Sequence, residues 1–152
     1  MKFIITPVIH ASVEIQGTKE LREISLGLLI YVGIGNVDLE RVSNTDFLEK
    51  IVQKIISAKL FHSEHTDKID TSIQNNTWSI LFISNFTLYW NCDKWTKIDF
   101  WDGARFTEAK PIYEKMVHLF QEKWIRIKTG EFGETMLIKS ENLGPLNYVF
   151  EF

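Results

Sequence analysis

The chain has 152 residues and a formal net charge of −3, with 45% hydrophobic and 24% charged residues. That is one domain's worth, read as a single domain over residues 1–152, with enough apolar material to bury a sizeable core. The acidic balance argues against a broad nucleic-acid footprint, since phosphate contacts come from Lys and Arg, but leaves room for contact with one RNA end. No apolar run approaches the roughly 18 residues of a membrane span.

The opening "KFIITPVI" and "ASVEIQG" read as strands, the second alternating until Gly17 turns the chain. Pro7 lacks a ladder donor, which predicts an edge or a bulge at that position. "ELREIS" is expected to pair back as a hairpin, and "GLLIYVGIG" is an apolar run bounded by glycines, as in a buried strand. "TDFLEKIVQKIISAKLF" is helical: Phe47, Leu48, Ile51, Val52, Ile55 and Ile56 recur at steps of three and four, with Asn44 or Thr45 as cap. His62 to Lys68 reads as a polar loop and Gln74 to Thr77 as a turn.

"WSILFISNFTLYW" is predicted as a central strand with one polar interruption. A second helix is expected over "FTEAKPIYEKMVHLFQEKW", with Thr107 as N-cap and Pro111 near the first turn. Its predicted buried face is Ile112, Met116, Phe120 and Trp124. "WIRIKTGEFG", "TMLIKS" and "LNYVFEF" close the chain as strands around a Gly-rich turn. Two helices that do not alternate with the strands predict an α+β fold with a largely antiparallel sheet or barrel.

Familiar catalytic signatures are missing. There is no P-loop, GxGxxG, HExxH, paired CxxC or GxSxG. His62 and His65 flank Glu64, but a solvated loop outweighs a metal pair; no metal and no cofactor is expected. His10 and His118 are lone histidines. Cys92 has no identified base and reads as inert, and one cysteine suits a reducing compartment such as the cytoplasm. The 11 Phe, 5 Trp and 4 Tyr fit a core or an interface better than base stacking.

Two stretches break the apolar logic: Ser84-Asn85 inside the central strand, and "NLGPLN" at Asn142 to Asn147. Read alone, each is a bulge or a turn. Together with "ASVEIQG", "GLLIYVGIG", "KIISAKLF" and "TGEFGETM" in this order, the chain resembles the D-aminoacyl-tRNA deacylases from end to end. "SNFTLYWNC" is similar to the family's Ser-Gln-x-Thr-Leu signature, and "NLGPLN" to its Asn-x-Gly-Pro-x-Thr signature.

The resemblance implies hydrolysis of the ester that joins a D-amino acid to the terminal adenosine of tRNA, with glycyl-tRNA mischarged on tRNA-Ala as a further substrate. It implies a homodimer that acts on the tRNA acceptor end away from any membrane. Catalysis is assigned to Ser84, Asn85, Phe86 and Thr87, with backbone N–H groups near Ser84 to Phe86 serving the carbonyl oxygen. Substrate binding falls to Asn142, Gly144, Pro145 and Asn147 of the loop and to the wall formed by Phe132, Gly133 and Met136. The Gly144–Pro145 peptide is expected to be cis and to reach into the partner's pocket.

The chain departs from the pattern at four places. Asn85 stands for the signature glutamine, Asn147 for the final threonine and Pro7 for an early arginine. "KWTKID", with Lys94 and Lys97, replaces a basic run. The shorter amide at position 85 predicts that Asn85→Gln preserves or raises the rate. The alternative kept open is a non-catalytic relative that binds an RNA end or serves as an assembly subunit.

Overall fold

The computed structural model describes residues 1–43, 45–63, 66–94 and 96–152. Its main sheet is organised by one long strand, β1 (Lys2–Ile15), where the sequence suggested two. Pro7 marks the reason. On one flank, Lys2–Ile5 pairs with β11 (Tyr148–Glu151), and from Val8 onward the partner is β10 (Met136–Asn142). Pro7 sits in the changeover, where a missing N–H breaks no ladder bond on that side, and its carbonyl accepts from Leu143 N at 2.9 Å. The register also slips between Val8 and His10, so the bulge expected near Pro7 is present.

On the other flank β1 pairs with β3 (Gly27–Gly33) and, nearer its end, with β2 (Leu21–Ile24). All four of these pairings are antiparallel. β3 then runs parallel to β6 (Ser79–Ser84), and β6 parallel to β9 (Arg126–Thr129). The open side between β2 and β9 is bridged by Arg22, whose Nη1 donates to the carbonyls of Thr129 (3.0 Å) and Gly130 (3.2 Å). The sheet is therefore nearly closed, and the α+β, largely antiparallel, barrel-like expectation holds.

Apart from the main sheet, β7 (Asn91–Lys94) and β8 (Lys97–Asp99) form a small antiparallel pair. The helices are α1 (Asn36–Arg41), α2 (Thr45–Ser57) and α3 (Phe106–Glu122). The buried stripes of α2 and α3, including Ile51, Ile55, Met116 and Phe120, pack on Phe3, Ile5, Leu28, Ile30 and Phe82 of the sheet. A smaller cluster, with Val8, Val13, Leu29, Leu81 and Ile83, fills the concave face. β3 and β6 thus bury both faces, which is why their sequences are continuous apolar runs.

Several boundaries differ from expectation. α2 stops at Ser57, and Leu60 and Phe61 are buried in a hairpin of β4 (Lys59–Ser63) and β5 (Thr66–Ser72) that replaces the expected polar loop. Asn44, Glu64, His65 and Trp95 lie outside the described residues. Thr107 is not the N-cap of α3: Ala104 N is bonded to Ile34 O, which keeps the chain extended through Arg105, and the helix starts at Phe106. Pro111 therefore falls in its second turn. Trp124 does not continue the buried face. It follows the helix at φ 60, 93% exposed, and Ile125 is buried in its place.

Tyr113 stacks on Phe82 with centroids 5.1 Å apart and donates to the Phe82 carbonyl at 2.7 Å. Burial pushes its phenol well above the usual range. Tyr89 is raised too, by burial and then by its bond to Asp38. Both hold their protons in the fold beyond the unfolded value of about 10. Their contribution is complete below that pH and declines as pH rises toward the folded values. The midpoint of urea unfolding should be insensitive to these groups up to about pH 10 and fall above it, with Tyr113→Phe flattening part of the decline.

Candidate active site

The carboxyl ends of the three parallel strands β3, β6 and β9 converge on one side of the sheet, where α/β folds generally present their ligand sites. A cleft of about 610 Å³ opens there. One wall is the end of β6. Ser84 pairs with Val32, and Asn85 N donates to Val32 O at 2.8 Å. The strand then breaks into a 3-10 turn, Phe86–Tyr89.

Asn85 causes the break. Its Oδ1 accepts from Thr87 N at 3.1 Å and from Thr87 Oγ1 at 2.5 Å, so the side chain caps the turn it starts. Phe86 is the first residue of that turn, and its N–H has no intrahelical acceptor by construction. Thr87 donates its hydroxyl proton to an amide oxygen, which is no base, so the contact orients the turn and does not activate a nucleophile.

The opposite wall is Phe132, Gly133 and Met136. Gly133 has φ +86, and a Cβ there would lie 2.4 Å from the Phe106 ring. Only glycine lets this turn close onto α3, and Phe132 then meets Phe106 edge-on at 5.2 Å. Tyr31 lies in the cleft with its phenol pushed up by burial. Among the described residues, Glu134 is the one carboxylate in the lining. Sequence reasoning did not single out Tyr31, Phe106 or Glu134, although Glu134 lies inside the quoted "TGEFGETM".

Beneath the turn sits a buried charge. Asp38 is fully buried; its Oδ1 accepts from the Met1 ammonium at 2.5 Å, and its Oδ2 from Gly35 N and the Tyr89 hydroxyl, each at 2.7 Å. Tyr89 is the last residue of the 3-10 turn, so this network anchors the site's wall to the first strand and to α1.

Ser84, Asn85, Phe86, Phe132, Gly133 and Met136 thus share one cleft, with Thr87 bonded to Asn85. Gly144 and Pro145 do not line it. They border a separate groove of about 600 Å³ together with Pro7, Phe61 and Trp78. The loop between Asn142 and Asn147 is fastened at both ends to β1, by Leu143 N to Pro7 O (2.9 Å) and by Thr6 Oγ1 to Asn147 Oδ1 (2.8 Å).

The cis expectation for Gly144–Pro145 is corrected: no described peptide bond is cis. Trans is the favoured X-Pro isomer by about 0.5–1 kcal/mol, and Gly144, at φ +147, makes the turn without a cis bond. A Cβ on Gly144 would lie 1.9 Å from Leu146 N, so this conformation admits no side chain. Trp90 is 60% exposed and does not fill the cleft. Among the described residues no cluster could hold a metal ion. His62 Nδ1 is bonded instead to Asp67 O at 3.1 Å.

The family model described as D-Tyr-tRNA(Tyr) deacylase matches residues 4–151. The chain belongs to the D-Tyr-tRNA(Tyr) deacylase family. Relatives named "D-aminoacyl-tRNA deacylase" match over nearly full length: one from Saccharophagus degradans is 34% identical over 98% of both chains. One from Rippkaea orientalis is 34% identical over 99% of both. A solved structure described as "c-Myc DNA Unwinding Element Binding Protein" is 28% identical with a TM-score of 0.84, covering 100% of this chain and 99% of its own. A second, described as a probable eukaryotic D-amino acid tRNA deacylase, shares the fold at TM-score 0.83 with 14% identity, over 98% and 97% of the two chains.

Within the deacylase family frame, two of the sequence departures acquire a structural sense. Asn85 is short enough to cap its own turn, and Asn147 reaches the Thr6 hydroxyl beside Pro7.

Proposed function

We propose that this chain, acting as one domain, hydrolyses the ester of D-aminoacyl-tRNA. The observation that carries the reading is the capped turn Asn85–Tyr89, whose first residue, Phe86, lines the cleft with Phe132 and Met136, its N–H without a backbone acceptor among the described residues. An aminoacyl ester is already activated, so positioning and oxyanion stabilisation suffice for much of the rate. The adenine would lie against Phe132 and Met136, and the ester carbonyl oxygen would accept from the Phe86 N–H. Water, organised by the ribose hydroxyl, adds to the carbonyl carbon. The carbon–oxygen bond to the ribose then breaks, and the ribose oxygen leaves with a proton.

Chirality would be read by the Asn142–Asn147 loop of a second protomer, where a main-chain carbonyl beside the trans Gly144–Pro145 bond would accept from the α-amino group and leave no room for an L side chain. The same geometry admits glycine, so glycyl-tRNA mischarged on tRNA-Ala is the second expected substrate. A homodimer working in the cytoplasm follows from this reading.

A second reading is a non-catalytic module that binds a nucleic-acid end. It is favoured by the trans Gly144–Pro145 bond and by the 28% identical structure described as a DNA-element binding protein. Purified protein incubated with D- and L-aminoacyl-tRNA separates the two. Hydrolysis of the D ester at least about 100-fold faster than the L ester, roughly 2.7 kcal/mol of discrimination, is expected. Equal rates, or none above the spontaneous loss of the ester, would leave only the binding module.

A further inference from the structure

The mouth of the cleft is ringed by aromatic side chains that the fold leaves in water. Phe86 is 62% exposed, Phe106 53% and Phe100 37%, and all three line the cleft. Phe86 and Phe100 meet edge-on at 5.0 Å. Trp101 follows Phe100 directly and is 83% exposed. Its backbone is fastened: Asn36 Nδ2 donates to Trp101 O at 2.7 Å, and Asn36 N to Asp102 O at 2.9 Å. Gly103 N in turn donates to Phe100 O at 3.0 Å. A fixed turn that holds a large aromatic out in solvent, next along the chain from a cleft-lining ring, is the form of a stacking platform.

The charges around it do not favour phosphate capture. Asp99 and Asp102 flank Trp101, offsetting Lys97 and Arg105, and the chain as a whole is acidic. We infer that Phe86, Phe100 and Trp101 form a rim on which the unpaired bases just 5′ of the terminal adenosine stack as an RNA end enters the cleft. Stacking would then replace the phosphate contacts that "KWTKID" is too poor in cations to make. The inference rests on the deacylase reading for the direction from which the RNA arrives. A second copy of the chain covering these rings, rather than reaching the cleft with its Asn142–Asn147 loop alone, is the competing occupant, and it would leave the RNA end no way in.

The test uses the full chain and a fluorescein-labelled RNA hairpin with four unpaired 3′ nucleotides. A matched hairpin carries abasic sites at the two positions before the terminal adenosine. Trp101→Ala, and the abasic sites on unaltered protein, should each weaken binding by about tenfold. Combined, they should cost little more than either alone. In D-aminoacyl-tRNA hydrolysis the same variant should raise KM by a similar factor with kcat unchanged. Trp101 is too exposed for its loss to unfold the chain, which circular dichroism checks.

Hairpin binding indifferent to Trp101→Ala, or to the abasic sites, overturns the rim. So does a dimer that dissociates in Trp101→Ala while RNA binding persists. Absence of hydrolysis by the unaltered protein would instead strike the deacylase reading, with the hairpin measurements still judging the rim.

Discussion

Replacing Asp38 by Ala should remove about 3–5 kcal/mol of stability, the loss typical of breaking a buried ion pair from one side. Asp38 is fully buried and accepts from three donors: the Met1 ammonium, Gly35 N–H and the Tyr89 hydroxyl. Without the carboxylate the ammonium keeps, among the described residues, only the Phe152 carbonyl, at 2.8 Å, to accept from it. Asn would keep one acceptor but lose the charge, so Asp38→Asn should fall between the native chain and Asp38→Ala. Because Tyr89 closes the 3-10 turn, the damage should reach the cleft as well: hydrolysis should decline under conditions where the variant is still folded. Urea unfolding followed by tryptophan fluorescence gives the stability change. A loss below about 1 kcal/mol, the scale of an exposed pair, would show that water reaches this network.

Asn85 carries the second large effect, and the geometry reverses what the sequence suggested. Lengthening the side chain to Gln looked restorative, but Asn85 Oδ1 is committed to Thr87 N–H and the Thr87 hydroxyl, a contact geared to the Asn length. Gln is a poor N-cap and Ala is no cap at all. Either change frees the turn that presents the Phe86 N–H, and a misplacement of about 1 Å in such a group can cost about 100-fold in rate. Asn85→Gln and Asn85→Ala should therefore lower kcat by about that factor while costing only about 0.5–2 kcal/mol of stability. Asn85→Ser retains a capping oxygen and should recover much of the rate. If Asn85→Gln were instead faster than the native chain, the cap would be incidental and the amide would act on the substrate directly.

The contrast between these residues shows what the sequence disclosed. The buried stripe of α2 and the apolar runs of β3 and β6 are periodic patterns set by neighbours a few positions away, so both the elements and the α+β class could be read. The Ser84-Asn85 interruption and the glycines of "TGEFGETM" are visible as breaks in those patterns, and Ser84, Asn85 and Gly133 line the cleft. Other features depend on pairs far apart in the chain. Thr6 and Asn147 are separated by 141 positions, and Met1 and Asp38 by 37. Neither pair has a local signature, so Pro7 and Asn147 looked like lost supports when the loop had gained a different one. The 3-10 turn reads as strand in the sequence because its hydrophobic residues continue the run. Only the capping geometry of Asn85 ends it. A step of four carries Trp124 two residues beyond the helix end, where the periodicity no longer applies.

The central claim is that one protomer's cleft works with the other's Asn142–Asn147 loop. Mixing two inactive variants tests it most directly. Asn85→Ala spoils the cleft and leaves the loop intact. Gly144→Ala leaves the cleft intact and spoils the loop, since no Cβ fits beside Leu146 N. If subunits exchange at random in a two-fold dimer, half the dimers are mixed and each has one of its two sites complete. The 1:1 mixture should then recover roughly a quarter of the native rate on D-aminoacyl-tRNA. A mixture no more active than the mean of the two variants, with subunit exchange verified by mass, would contradict the account.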